Sequence, residues 1–251
     1  MGTVSITGVS KVYGGAQGVR ALEHVDVSLA EGEFMALLGP SGCGKSTLLN
    51  ILAGFEAQTD GVITFDGKSV RKPGPDRGVV FQEAALMPWL TVWQNVIFGP
   101  QVQGVAKADY EPRAREIIRV VGLEGFMEAL PVQLSGGMRQ RVGIARALVM
   151  QPKALLMDEP FGALDAQTRL SMQQLLLDVW QTFKTTVLFV THDIDEAIIL
   201  ADRVCVMAAR PGRIIRDIPI TLPRPRSIND LLTSEFLGFK GQIMAEMRGA
   251  H

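Results

Sequence analysis

Gly39, Pro40, Ser41, Gly42, Cys43, Gly44, Lys45 and Ser46 constrain this chain more than any other stretch. They follow the pattern G-x-x-x-x-G-K-[ST] and lie between an apolar segment, Phe34 to Leu38, and a helical one, Lys45 to Ala53. A strand that feeds a glycine-rich loop and then a helix builds an anion cradle. The glycines let the backbone come close to phosphates, and the loop amides and helix N-terminus supply partial positive charge. Lys45 reaches terminal phosphates, Ser46 supplies a magnesium ligand and Thr47 is a supporting phosphate contact. Cys43 has no necessary part in such a loop and reads as a tolerated small residue.

A loop of this kind sits at the C-terminal edge of a sheet, and the chain supplies the strands for one. Ser5 to Val12, Val25 to Leu29, Phe34 to Leu38 and Val62 to Phe65 read as short β segments, with Asp60-Gly61 and Asp66-Gly67 as turn signals around the last. From Thr91 to about Glu128 the pattern becomes helical, with Ile117, Ile118, Val120 and Val121 on the apolar face of a segment starting near Asp109. A helix is expected at Gly136 to Met150, a strand at Ala154 to Met157 and a helix after Asp165. A strand at Thr186 to Val190, a helix at Ile194 to Leu200 and a strand at Val204 to Met207 follow. Strands alternating with helices imply an α/β fold with a mainly parallel sheet covered on both faces.

The strand ending at Met157 delivers Asp158 and Glu159 to the sheet edge, where open α/β sheets place their ligands. Asp158 is placed to hold magnesium, and Glu159 is the candidate base for an attacking water. Two helix-capping acids in a solvated turn would leave the same trace in the sequence.

Balance of charge excludes little and suggests less. Twenty-five basic residues face twenty-six acidic ones, so charge alone points to no nucleic-acid or anionic-membrane partner. Apolar residues make up 47% of the 251 positions, the proportion of a folded globular chain. Cys43 and Cys205 show no metal-type spacing and fit a reducing compartment. Met1 to Val12 does not read as a secretory signal, and no run of about 18 apolar residues offers a membrane span.

Leu134-Ser135-Gly136-Gly137-Met138-Arg139-Gln140-Arg141, just before a helix, resembles the signature motif of ATP-binding cassette (ABC) ATPases. The resemblance covers nearly the whole chain in the family's order. Tyr13 looks like its adenine-stacking aromatic, Gln82 like its Q-loop glutamine, Gly162-Ala-Leu-Asp165 like its D-loop, and His192 like its switch histidine. Met138 departs from the family's commoner glutamine. Each motif also has a local reading. Ser135 and Asp165 are good helix caps, His192 follows an apolar strand as a core histidine would, and Tyr13 sits at a strand end.

The resemblance implies a P-loop NTPase of the ABC ATPase type, with a RecA-like mainly parallel core, an N-terminal antiparallel β subdomain and an inserted helical subdomain. Residues 1–226 would form the ATPase domain, about 91–150 the helical subdomain, and 227–251 a tail helical in part. It implies a homodimer closing on two Mg2+-bound ATP molecules. Ser135, Gly136 and Gly137 of each copy would bind the ATP held by the other, and Asp165 would couple the two sites. Gln82 would ligate magnesium or the water, and His192 would orient Glu159.

Met87-Pro-Trp-Leu-Thr-Val-Trp-Gln-Asn95 and Ala209-Arg-Pro-Gly-Arg-Ile214 resemble importers of nitrate, sulfonates and taurine, although Trp89 and Trp93 also suit a helical core. That resemblance implies permease subunits, a periplasmic or lipid-anchored solute-binding protein, and a peripheral place on the cytoplasmic face of the bacterial inner membrane. A soluble ABC-type protein acting on ribosomes or DNA, or a P-loop kinase, are the rival readings; no second cassette, long insertion or zinc-bearing segment supports the former.

Overall fold

A computed structural model describes residues 2–15 and 18–248, so the last three residues of the expected tail lie outside it. The chain opens with β1 (Val4–Tyr13), β2 (Val19–Leu29) and β3 (Phe34–Leu38), followed by α1 (Lys45–Ala53). Three strands come next, β4 (Asp60–Phe65), β5 (Lys68–Ser69) and β6 (Arg77–Val80). Helices α2 (Val92–Val102), α3 (Lys107–Val120) and α4 (Gly136–Leu148) then precede β7 (Ala154–Asp158). The last part alternates α5 (Ala166–Phe183), β8 (Thr186–Thr191), α6 (Ile194–Leu200), β9 (Arg203–Ala208) and β10 (Arg213–Pro219), and ends in α7 (Ser234–Arg248).

Among the described residues these strands make two sheets. One is antiparallel, in the order β2-β1-β4-β5. The other runs β10-β9-β3-β8-β7-β6 and is parallel except for β10 on β9. The central strand β3 explains why Phe34 to Leu38 is apolar at every position. Phe34, Ala36 and Leu38 face a core shared with α2 to α7, while Met35 and Leu37 face a second core shared with α1 and the antiparallel sheet. A strand with a core on each face has no polar side.

Three strands escaped the sequence reading for the opposite reason. β5 is two exposed residues, β6 is short, and β10 is an edge strand in which Ile218 alone is fully buried, so none shows a run or a clean alternation. Asp60 and Gly61 lie inside β4, not in a turn. They sit opposite a register shift between Thr7 and Ser10 of β1, so the pair marks a bulge.

The tail helix α7 packs on α6 and β9 and sinks Phe236 and Ile243 into the larger core. Lys240 pairs with Asp195 on α6, and Arg216 with Glu246. Phe236 is 1% exposed, so Phe236→Ala is expected to cost about 3–5 kcal/mol of unfolding free energy. Urea denaturation followed by circular dichroism measures this; a loss below about 1 kcal/mol would show α7 to be dispensable packing.

A candidate nucleotide site at the sheet edge

The loop between β3 and α1 is shaped by close approach. Gly44 has φ +96° and caps α1; a Cβ there would lie 2.6 Å from Leu22 Cδ2 and 2.9 Å from the Ala21 carbonyl. From below, Gly212 presses on the loop so closely that a Cβ would stand 2.1 Å from the Cys43 carbonyl. Gly212 also exchanges backbone hydrogen bonds with the β2 segment, from its own N–H to Ala21 and from Glu23 N–H back to its carbonyl. The segment Ala209 to Ile214 is therefore a floor for the loop.

Side chains from three strand ends converge on that loop. Lys45, almost fully buried, donates to the carbonyls of Gly39 at 2.8 Å and Pro40 at 3.1 Å. Its ammonium also lies 3.6 Å from Glu159 Oε1. Ser46 Oγ donates to Asp158 Oδ1 at 2.9 Å. Burial pushes the Asp158 carboxyl up, Glu159 adds to the shift, and the Ser46 hydrogen bond and Lys45 oppose it. Glu159 Oε2 accepts from His192 Nδ1 at 2.8 Å. Because an ionised carboxylate only accepts, this contact puts the imidazole proton on Nδ1. The His192 side chain is about half exposed, unlike a core histidine.

Glu159 itself has φ +43°, a left-handed conformation uncommon for a residue with a side chain. Two hydrogen bonds hold it there, from Glu159 N–H to the Val190 carbonyl and from Gly162 N–H to the Glu159 carbonyl, each 3.0 Å. Backbone strain of about 1–3 kcal/mol persists where the surroundings over-determine it, as they do here.

Gln82 follows β6 and passes close to Gly162, where an added Cβ would lie 3.1 Å from its amide nitrogen. Helix α4 holds its segment in place. Gln140 donates to the Phe81 carbonyl at 2.9 Å, and Arg146 to those of Ala84 and Ala85 at 2.8 and 2.9 Å. Nothing in the sequence reading assigned work to Gln140 or Arg146. Only the packing reveals them, because the burial of Gln140 and the reach of Arg146 to the loop follow from where α4 sits.

Other candidates sit apart from this cluster. Ser135 caps α4 by accepting from Met138 N–H at 3.2 Å, and Asp165 caps α5 by accepting from Thr168 N–H at 3.0 Å. Gly137 packs against Thr168, so the two helix starts adjoin. Among the described residues no hydrogen bond or ion pair joins Ser135, Gly136 or Gly137 to the Gly39–Ser46 loop. Tyr13 is exposed at the end of β1, with Lys11 Nζ 4.7 Å from its ring centroid. Thr47 is half-buried in the first turn of α1. Cys43 and Cys205 are buried free thiols; burial pushes Cys43 up against the opposing pull of Lys45, and Cys205 up to about 12. Neither is a reactive thiolate.

Residues 22–162 match the family described as ABC transporter. The chain is 45% identical to a nitrate import ATP-binding protein of Synechocystis over 98% of this chain and 95% of that one. It is 53% identical to a taurine import ATP-binding protein of Burkholderia pseudomallei, covering 82% of this chain and 80% of the relative. The chain belongs to the ABC transporter family. A solved dimer of an ATP-binding cassette in a post-hydrolysis state bound to ADP and Pi superposes with a TM-score of 0.74 at 34% identity, covering 88% of this chain and all of that one. The ABC ATPase fold expected from the motifs is present: a mainly parallel core with an antiparallel sheet against it and helices α2 to α4 inserted between β6 and β7. This ABC subunit is an ATP-binding ATPase. Among its described residues no helix is long and apolar enough to cross a membrane.

Proposed function

We propose that this chain is the ATP-hydrolysing subunit of a bacterial importer for nitrate, a sulfonate, taurine or a related small solute. Two identical copies would close on two ATP molecules and draw attached permease subunits with them. The observation that carries the reading is the convergence of Lys45, Asp158, Glu159 and His192 on one glycine-rich loop. It would work at the cytoplasmic face of the inner membrane, fed by a periplasmic or lipid-anchored solute-binding protein that never touches it.

The residues present suit magnesium. Ser46 and Asp158 offer a hydroxyl and a carboxylate 2.9 Å apart, a hard oxygen pair of the kind Mg2+ prefers, and the Gln82 amide can add a third oxygen. When bound, the ion neutralises charge on the phosphates. Lys45 exchanges its two loop carbonyls for phosphate oxygens, which releases Glu159 from its attraction. Glu159 then takes a proton from the attacking water, and His192 keeps its carboxylate oriented through Nδ1. Gly39 to Thr47 bind the phosphates, Tyr13 stacks on the adenine, and Ser135 to Gly137 bind the terminal phosphate of the ATP on the partner copy. Asp165 links the two sites. Closure draws its energy from the higher ATP affinity of the closed dimer.

Support for a permease comes from the surface beside Gln82. Phe55 and Phe81 stack on each other at 6.1 Å while both remain exposed, and Trp89 stands 73% exposed on the loop that follows. Apolar groups left in water on one side mark a surface that a partner covers.

Purified from detergent-solubilised membranes, the chain is expected to bring down a polytopic permease. In proteoliposomes its ATP turnover is expected to rise when the solute-binding protein is loaded with nitrate or taurine. Recovery with ribosomes or DNA and no permease would sink the importer reading.

A further inference from the structure

Two loops flank Glu159. Residues 162–165 lead into α5, and Thr191 to Asp193 carry His192 into α6. Between the helices lies a polar cluster for which the hydrolysis scheme has no use. At its centre is Glu196, 4% exposed on a helix whose other buried residues, Ala197, Ile198, Ile199 and Leu200, are all apolar.

Glu196 accepts from Thr191 Oγ1 at 2.6 Å and from Gln173 Nε2 of α5 at 3.3 Å. Thr191 Oγ1 in turn accepts from Asp193 N–H at 3.0 Å, and Asp193 Oδ1 caps α6 by accepting from the N–H groups of Asp195 and Glu196. The residues on both sides of His192 are therefore anchored in this cluster. Burial pushes the Glu196 carboxyl up, Asp193 adds to this, and Thr191, Gln173 and Arg169 oppose it.

Arg169, in the first turn of α5, reaches the same cluster from the other loop. Its Nη2 donates to the Leu164 carbonyl at 3.2 Å, and its own backbone N–H donates to the Asp165 carbonyl at 2.9 Å. The rest of its guanidinium is held loosely, with Nη1 3.6 Å from Asp193 Oδ2 and Nε 3.8 Å from Glu196 Oε1. That Nε is buried and has no hydrogen-bond partner. A buried donor left unmade is costly, and a shift of well under 1 Å toward Glu196 would satisfy it. Such a shift would turn the loose arrangement seen here into a tighter one that tugs on Glu196 and Thr191.

We infer that Arg169 and Glu196 form a relay through which the position of residues 162–165 sets the placement of His192 against Glu159. It rests on the proposed roles of Asp165 at the dimer interface and His192 beside Glu159. Both are positioning residues, because neither touches the reacting atoms. The relay makes one copy's switch sensitive to whether the other copy has docked, so hydrolysis waits for closure.

The test compares Arg169→Met, Arg169→Lys, Glu196→Gln and the double variant R169M/E196Q in the full chain, reading turnover against ATP concentration. R169M is expected to lower kcat about tenfold and leave the KM for ATP within about twofold. The Hill coefficient, which two coupled sites can raise to about two at most, should fall toward one in R169M. R169K keeps the charge but not the planar fork, so it should recover part of kcat. Residues acting as one link are not additive, so the double variant should fall no lower than the worse single.

Unchanged kcat and Hill coefficient in R169M, or singles whose effects multiply, would overturn the relay. If R169M does not fold, R169K with E196Q gives the same additivity comparison. Turnover that is insensitive to Glu159→Gln would remove the underlying site reading; normal loss in that variant beside a silent R169M removes the relay alone.

Discussion

Glu159→Gln is expected to lower steady-state ATP turnover by about 10²–10⁴-fold while leaving ATP affinity nearly unchanged, because the loss is that of a general base. The substitution keeps the shape of the side chain and an oxygen that can still accept from His192 Nδ1. It removes the charge that holds Lys45 at 3.6 Å, so Lys45 is freer to meet phosphate. ATP-bound dimers should therefore accumulate, visible as a shift to twice the monomer mass on size exclusion with ATP and magnesium. Turnover like that of the wild type would remove Glu159 from its assigned role.

Lys45→Ala should fail one step earlier. Lys45 is the buried cation of the loop, and its ammonium reaches Gly39, Pro40 and Glu159 at once. A hydrogen bond to a charged group is worth about 1.5–3 kcal/mol, so ATP affinity should weaken by about 10–100-fold, with turnover falling alongside. Titration calorimetry with ATP and magnesium measures the first effect. The contrast matters more than either number. Glu159→Gln separates binding from chemistry, whereas Lys45→Ala loses both, and equal affinities in the two variants would contradict the division of labour.

Much of this site was readable because its parts are coded locally. The glycine loop, the acids at the end of β7 and just past it, and the histidine that follows β8 each sit at the close of an apolar run, and parallel strands bring such ends to one edge. The segments Phe34–Leu38, Lys45–Ala53 and Ile194–Leu200 have the bounds their patterns implied for the same reason. What stayed hidden depends on contacts distant in sequence. Arg146 looks like a solvated helix residue until α4 is packed beside Ala84 and Ala85. Glu196 looks like one more acid in the first turn of α6, where acids are common, until α5 buries it. Gly212 has no assigned part within the Ala209 to Ile214 motif, and only the fold shows the glycine-rich loop resting on it. Met87 to Asn95 falls between the two cases. Its turn is tied together by Asn95, which donates to the carbonyls of Met87, Leu90 and Thr91, so the motif is structural while its Trp89 is free.

That freedom gives the chain an optical handle. Of its three tryptophans, Trp180 is 7% exposed beneath Arg224, and Trp93 is half-buried under Arg115. Their emission reports the protein interior. Trp89 emits from water beside the surface assigned to the permease, so a partner that settles there changes one fluorophore and leaves two as internal standards.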